Sequence, residues 1–284
     1  MDFNRRLMVS SLAAAAGLGG CAALGAARNG RTPATAKDLD ALVRARWSPG
    51  GAIPNGFACV RATQYAEGPF YYETSLQRRS IAEKRPGIPL RLGITLGGMA
   101  EGESNCFPLA GVVVDIWHAD ASGLYSNVGT DLQLENTIGQ TFMRGHQVTD
   151  ERGYVEFDTI LPGWEVVAAV PGVPGAPPVL PIARTVHIHV KAFHGREVLT
   201  HQLFFEDSLL DQVFDEIEPY KSGRLMTVPR LDKPFSRIRN TEDFLFTRTK
   251  PQPLKAERVD GMLVAKASIG VLSVGDQGFR TLFR

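Results

Sequence analysis

An excess of charge of either sign is missing from this chain: 31 Lys and Arg face 30 Asp and Glu, for a formal net charge of +1 over 284 residues. Nothing in that balance draws the protein to nucleic acid or to an anionic membrane surface. An apolar run long enough to cross a bilayer is also missing, because the stretch at residues 7–18 falls short of the ~20 residues that a spanning helix needs. No internal repeat is visible, helical periodicity is scarce, and there are only three cysteines. What remains is ordinary globular composition, 44% hydrophobic and 21% charged, enough for one sizeable core or two small ones.

The N-terminus reads as an address. Arg5 and Arg6 precede the short apolar stretch, the layout of a cleaved export signal, and the paired arginines suggest the twin-arginine route. Leu18-Gly19-Gly20-Cys21 looks like a lipobox, which would make Cys21 the lipidated first residue of an envelope-anchored lipoprotein; the plainer reading is a cleaved signal without lipid. The expected organisation is a signal over 1–21, a flexible tether over 22–40 and one domain over 41–284, exported to the periplasm or envelope and touching the membrane only through its lipid. Outside the cytoplasm the remaining cysteines, Cys59 and Cys106, are expected to pair. Closing that loop is worth about 4 kcal/mol on the chain-entropy model. Two buried thiols are the alternative.

The domain reads as all-β. Residues 89–96 and 154–160 alternate apolar and polar with period two, as half-buried strands do, and 185–191 does the same. Residues 111–117 form a β-branched run ending in Trp117. Strands divided by Gly and Pro turns predict an antiparallel β-sandwich with a few short helices and long loops. The helix expected over 208–217 carries Leu209, Leu210, Val213, Phe214 and Ile217 on one stripe, with Asp207 placed to cap it. Residues 166–182 hold five prolines and two glycines, which predicts a long loop, either a lid or disordered.

The strongest chemical signal is His187 and His189. At i and i+2 of a strand both rings leave the same face, about 6.5 Å apart along the chain, and can reach one metal ion. Imidazole suits zinc, copper or iron, so the pair alone does not choose the metal.

Other motifs do. Residues 110–126, AGVVVDIWHADASGLYS, closely resemble the segment around the first tyrosine ligand of the intradiol ring-cleavage dioxygenases. FMRGHQVTD at 142–150, FDTILPGW at 157–164, RTVHIH at 184–189 and HQLFF at 201–205 are similar to the family's following segments, and AEGPFY at 66–71 to its upstream one. The resemblance implies ferric iron held by two tyrosines and two histidines, and cleavage of a catechol-like aromatic by dioxygen between its hydroxyl-bearing carbons. Residue by residue it implies Tyr125, His187 and His189 as metal ligands. It assigns Arg184 to stabilising charge on the substrate ring and Gln202 to a supporting polar position. Trp164 is expected to line the substrate cleft or to sit in the core.

One position departs from the pattern. The family carries a displaceable tyrosine ligand directly after Pro-Gly-Trp, and here Glu165 follows Trp164. Three readings stay open. Glu165 binds the metal or acts as general base, and as a ligand beside two histidines it would favour ferrous iron. Alternatively another side chain such as Tyr154 replaces the ligand. Or the site is degenerate, and the protein is an envelope-anchored binder of aromatic ligands rather than an enzyme.

Overall fold

In the computed structural model the described residues are 57–99, 105–167, 182–194, 197–226 and 235–272. The signal, the tether, Cys21 and the interior of the proline-rich segment lie outside them. The described residues form fifteen strands in chain order: β1 (Phe57–Ala58), β2 (Val60–Arg61), β3 (Pro89–Met99), β4 (Asn105–Pro108), β5 (Val113–Trp117), β6 (Arg144–Val148), β7 (Tyr154–Ile160), β8 (Glu165–Val167), β9 (Ile182–Arg184), β10 (His187–His194), β11 (Glu197–Phe204), β12 (Leu225–Met226), β13 (Phe235–Ser236), β14 (Ala256–Val259) and β15 (Met262–Leu272). Among the described residues two α-helices join them, α1 (Asp207–Glu216) and α2 (Phe244–Thr249).

The strands form a sandwich. A seven-stranded sheet runs β1-β4-β3-β15-β14, with β7 also on β3 and β2 also on β15; a four-stranded sheet runs β11-β10-β5-β6. Pairing in the two sheets is antiparallel except for β15, which lies parallel to β3 and β2. The inner faces meet in one core. Leu90, Leu92, Ile94 and Leu96 of β3, Val155 and Phe157 of β7 and Leu263, Ala265 and Ile269 of β15 pack with Val114 and Ile116 of β5 and Ile188, Val190 and Ala192 of β10. Each fully buried Val, Leu or Ile contributes roughly 1.5–3 kcal/mol, so these alternating positions are what hold the sheets face to face.

Several expectations change in detail. β3 is not half-buried, because Arg91 on its polar side is covered and its Nε pairs with Asp158 at 2.7 Å. α1 begins at Asp207 rather than after it. Glu206 is the N-cap, without a side-chain cap bond, and the Asp207 carboxylate instead accepts the Asn240 backbone N–H at 3.2 Å. The predicted stripe holds, with Leu210, Val213 and Phe214 buried and Leu209 and Ile217 partly so. The ends of the proline-rich segment pair as the ribbon β8/β9, with Glu165 opposite Arg184. Its residues 168–181, on which the lid-or-disorder expectation falls, lie outside the described residues. Cys59 and Cys106 form a disulfide with Cα atoms 6.0 Å apart, at the β1/β4 edge of the larger sheet. Among the described residues no helix is long and apolar enough to cross a membrane.

Candidate metal centre

Because β10 turns Ile188, Val190 and Ala192 into the core, it must turn His187 and His189 to the outer face of the smaller sheet. Register then fixes their neighbours. His189 lies opposite Gln202 of β11 on one side and Trp117 of β5 on the other, and Trp117 lies opposite Arg144 of β6. His187 lies opposite Phe204. One row across the sheet therefore carries Gln202, His189, Trp117 and Arg144, and the Trp117 indole stacks on the His189 ring at 4.6 Å.

Tyr125 comes from the loop between β5 and β6, and the loop is built to hold it still. Asp120 Oδ1 accepts the Ser122 and Leu124 N–H groups, and Gly123 takes the positive φ of 83° that this turn requires. The Gln133 amide clasps the Tyr125 backbone, accepting from its N–H at 2.8 Å and donating to its carbonyl at 3.0 Å. Arg144 donates to both oxygens of Ser126 at 2.9 Å. Phe70 stacks on the phenol ring with centroids 4.3 Å apart.

Glu165 arrives by a close approach. The Gly163 N–H donates to the Asp120 carbonyl at 2.8 Å, and a Cβ on Gly163 would lie 2.5 Å from the Ala121 carbonyl oxygen. The turn thus lies directly on the Tyr125 loop, and the next strand starts at Glu165, opposite Arg184. The Arg184 guanidinium donates from Nε to Asp243 at 2.7 Å and from Nη2 to Gln202 Oε1 at 2.9 Å.

The result is a dry, convergent set: Tyr125, His187, His189 and Glu165 are 1%, 2%, 3% and 4% exposed. His187 donates from Nδ1 to the Thr185 carbonyl at 2.7 Å, which leaves its Nε2 as an acceptor within hydrogen-bond distance of His189 Nε2, at 3.0 Å. Imidazole nitrogens about 2.1 Å from one metal ion and roughly at right angles would stand about 3 Å apart. The Tyr125 hydroxyl is buried without a hydrogen-bond partner. The Glu165 carboxylate lies 3.9 Å from His187 Nε2 and faces the phenol.

Electrostatics follow from burial. Desolvation holds the His187 imidazole down to about 3, with Arg184 adding to it, and holds His189 well below its usual range. Burial pushes the Tyr125 phenol well up, and Glu165 pushes it further. Burial raises Glu165 to about 7 against the pull of Arg184. Neutral imidazoles and an unsatisfied phenol facing one point are what a cation needs, and a cation there would reverse the phenol's shift. Among the described residues no group of three or more His, Cys, Asp or Glu side chains is placed to hold a metal ion. The histidine pair and the phenol together fit a non-haem metal bound by oxygen and imidazole donors.

The structure decides between the readings left open at two aromatic positions. Trp164 does not line the cleft: it is fully buried in the main core and its Nε1 donates to the Gly223 carbonyl at 2.7 Å. The tryptophan at the site is Trp117. Tyr154 is no substitute ligand, because it lies on β7 of the other sheet, against Gly93, with its hydroxyl donating to Glu156 at 2.7 Å. His118 is a core group, held between the Ala119 carbonyl and the Thr159 hydroxyl. Asp243, buried beside Arg184, carried no sequence signal beyond its place before an apolar triplet.

Comparison with known proteins agrees with this architecture. The family model described as Dioxygenase matches residues 66–233, more than half of the chain. A chlorocatechol 1,2-dioxygenase from Rhodococcus opacus is 31% identical over 137 residues, 44% of this chain and 48% of that protein, so the similarity spans about half the relative's length. The structure of an intradiol ring-cleavage dioxygenase from Tetranychus urticae superposes with a TM-score of 0.58 at 27% identity, over 75% of this chain and 95% of its own. Catechol 1,2-dioxygenase from Acinetobacter sp. ADP1 shares the fold with a TM-score of 0.50 at 21% identity, over 87% of this chain and 72% of its own. This chain, a β-sandwich with its histidine pair and tyrosine on the outer face of the smaller sheet, belongs to the intradiol ring-cleavage dioxygenase family.

Proposed function

We propose that the protein is a non-haem iron-dependent dioxygenase that opens a catechol-like ring between its hydroxyl-bearing carbons, with Tyr125, His187 and His189 holding the iron. The observation that carries this reading is the pair of Nε2 atoms 3.0 Å apart beside a buried phenol that has no other partner. Ferric iron, typical of the family, would supply a Lewis-acidic centre that takes both catechol oxygens and activates the ring toward dioxygen.

The chain's own groups do the rest. A catechol that binds as a dianion must lose two protons: Glu165, ionised beside the cation, would accept one, and the other would pass to solvent. This gives Glu165 the proton-accepting role of the tyrosine it replaces. Arg184 supplies positive charge for the anionic ring, and Gln202 and Asp243 hold its guanidinium in place. Phe70 and Trp117 wall the site with aromatic surface that excludes water.

We also propose, from the N-terminal signal-like sequence, that the protein works outside the cytoplasm, tethered through Cys21. The Cys59–Cys106 disulfide supports an oxidising compartment. The test is oxygen uptake and visible absorption of the ferric-loaded protein with simple catechols. A tyrosinate charge-transfer band and oxygen consumption are expected, both lost in Tyr125→Phe and in His187→Ala. Oxygen uptake that survives both substitutions sinks the site assignment. A colourless protein that takes up no iron but binds catechols supports a non-catalytic binder instead.

A further inference from the structure

The family model ends at residue 233, yet the chain returns to the metal centre after that point. The 3-10 turn Asn240–Glu242 and the start of α2 lie against Arg184 and Thr185, and the group that joins them is Asp243. Its side chain is fully buried. One oxygen, Oδ1, accepts the Leu245 and Phe246 N–H groups at 2.9 and 3.0 Å and so caps α2. The other, Oδ2, accepts Arg184 Nε at 2.7 Å and the Thr185 N–H at 3.0 Å. Thr185 is held a second time where its hydroxyl donates to Asn240 Oδ1 at 3.1 Å. The carbonyl of this same Thr185 accepts His187 Nδ1–H and thereby sets the imidazole's plane and tautomer.

We propose that Asp243 is a positioning residue for this centre: it fixes the Arg184 guanidinium directly and the His187 ring through Thr185. This role rests on the iron-centre reading above. It divides the labour of one carboxylate, one oxygen holding the helix and the other holding the site. A capping role alone needs only Oδ1, and it does not account for the two donors aimed at Oδ2.

The division can be tested with Asp243→Ser. Serine caps a helix about as well as aspartate, but one hydroxyl cannot serve α2 and also span to Arg184 and Thr185. The full-length protein is loaded with ferric iron. Its thermal midpoint, its iron affinity by chelator competition and its binding of 4-nitrocatechol by difference spectrum are compared with wild type well below the melting range. The expected result is a variant that folds, holds iron roughly 10-fold or more weakly and binds 4-nitrocatechol correspondingly worse, with a displaced charge-transfer band. Unchanged iron affinity, band and 4-nitrocatechol binding, with or without a lower midpoint, leave Asp243 as a helix cap and overturn the proposal. If the serine variant does not fold, Asp243→Asn keeps the size and the cap but turns a second donor toward Arg184. The same spectral loss is expected there, and an unaltered spectrum overturns the proposal equally. A wild-type protein that takes up no iron overturns the iron reading and this role with it, whereas a coloured wild type with an indifferent variant overturns this role alone.

Discussion

Glu165→Gln in the metal-free protein should uncouple stability from pH in a defined window. The carboxyl is raised from 4.5 to about 7 in the folded state, because burial penalises its ionised form. An acid whose folded pKa is raised holds its proton in the native state between those two values while the unfolded chain has lost it. Its contribution is therefore fully present below about pH 4.5 and is lost as pH rises through 7. At about 1.4 kcal/mol per unit, the wild type loses about 3 kcal/mol from this group by pH 8.5. Glutamine cannot ionise, so the variant gains that amount on the wild type between pH 4.5 and 8.5, roughly 6–12 °C in melting temperature for a domain of this size. The assay is a pair of thermal melts across that range with chelator present. A difference between the two proteins that stays flat with pH would falsify the picture of a buried, poorly compensated carboxyl at Glu165. Repeating the series with ferric iron reads the role: a nearby cation holds Glu165 ionised, and the wild type's alkaline loss should shrink.

Tyr125→Phe should cost no stability in the metal-free protein and could raise it by about 1 kcal/mol, because the hydroxyl is buried without a partner; denaturant melts check this, and a large destabilisation means that the phenol has a bond the geometry does not show. Arg184→Gln strands the buried Asp243 carboxylate and should cost about 3 kcal/mol in urea unfolding, at the low end for a broken buried pair because three backbone N–H groups still face it. Reducing the Cys59–Cys106 bridge, whose residues are 47 apart in sequence, should lower stability by about 4 kcal/mol. The bridge lies in the other sheet, so iron uptake below the melting range should not change.

Where the sequence spoke clearly, it spoke through alternation. Strands β7 and β10 show which side chains share a face, and from that alone His187 and His189 turn away from the core. The same logic sets Asp115 and Trp117 opposite the buried Val114 and Ile116, but Trp117 stands beside His189 only because β5 pairs with β10, which alternation does not show. Trp164 precedes a three-residue strand and offers no such pattern, so its place in the core had to be seen. The parallel pairing of β15 with β3 is invisible locally, because a strand's own residues do not name a partner far away in the chain. Asp243 shows the same limit. Its position before Phe244 marks a helix start, while its contact with Arg184 depends on how the chain folds back. Asp207 misled for a related reason, since a carboxylate can stabilise a helix from the first turn as well as from the cap.

The position of β15 has a consequence for how the protein is made. This strand pairs Leu263 with Leu90 and continues along β3 to Leu272 beside Met99, filling the middle of the larger sheet rather than its edge. A ribosome has added every residue of the proposed metal centre before it begins that strand. Until β15 emerges, β3 lacks its partner along that edge and presents open hydrogen-bonding groups and an unfinished apolar face. The nascent chain can thus carry its whole centre and still be unable to close the sandwich around it. A stop codon just before residue 262 would leave all these metal-centre groups in the sequence and remove the strand on which their framework depends.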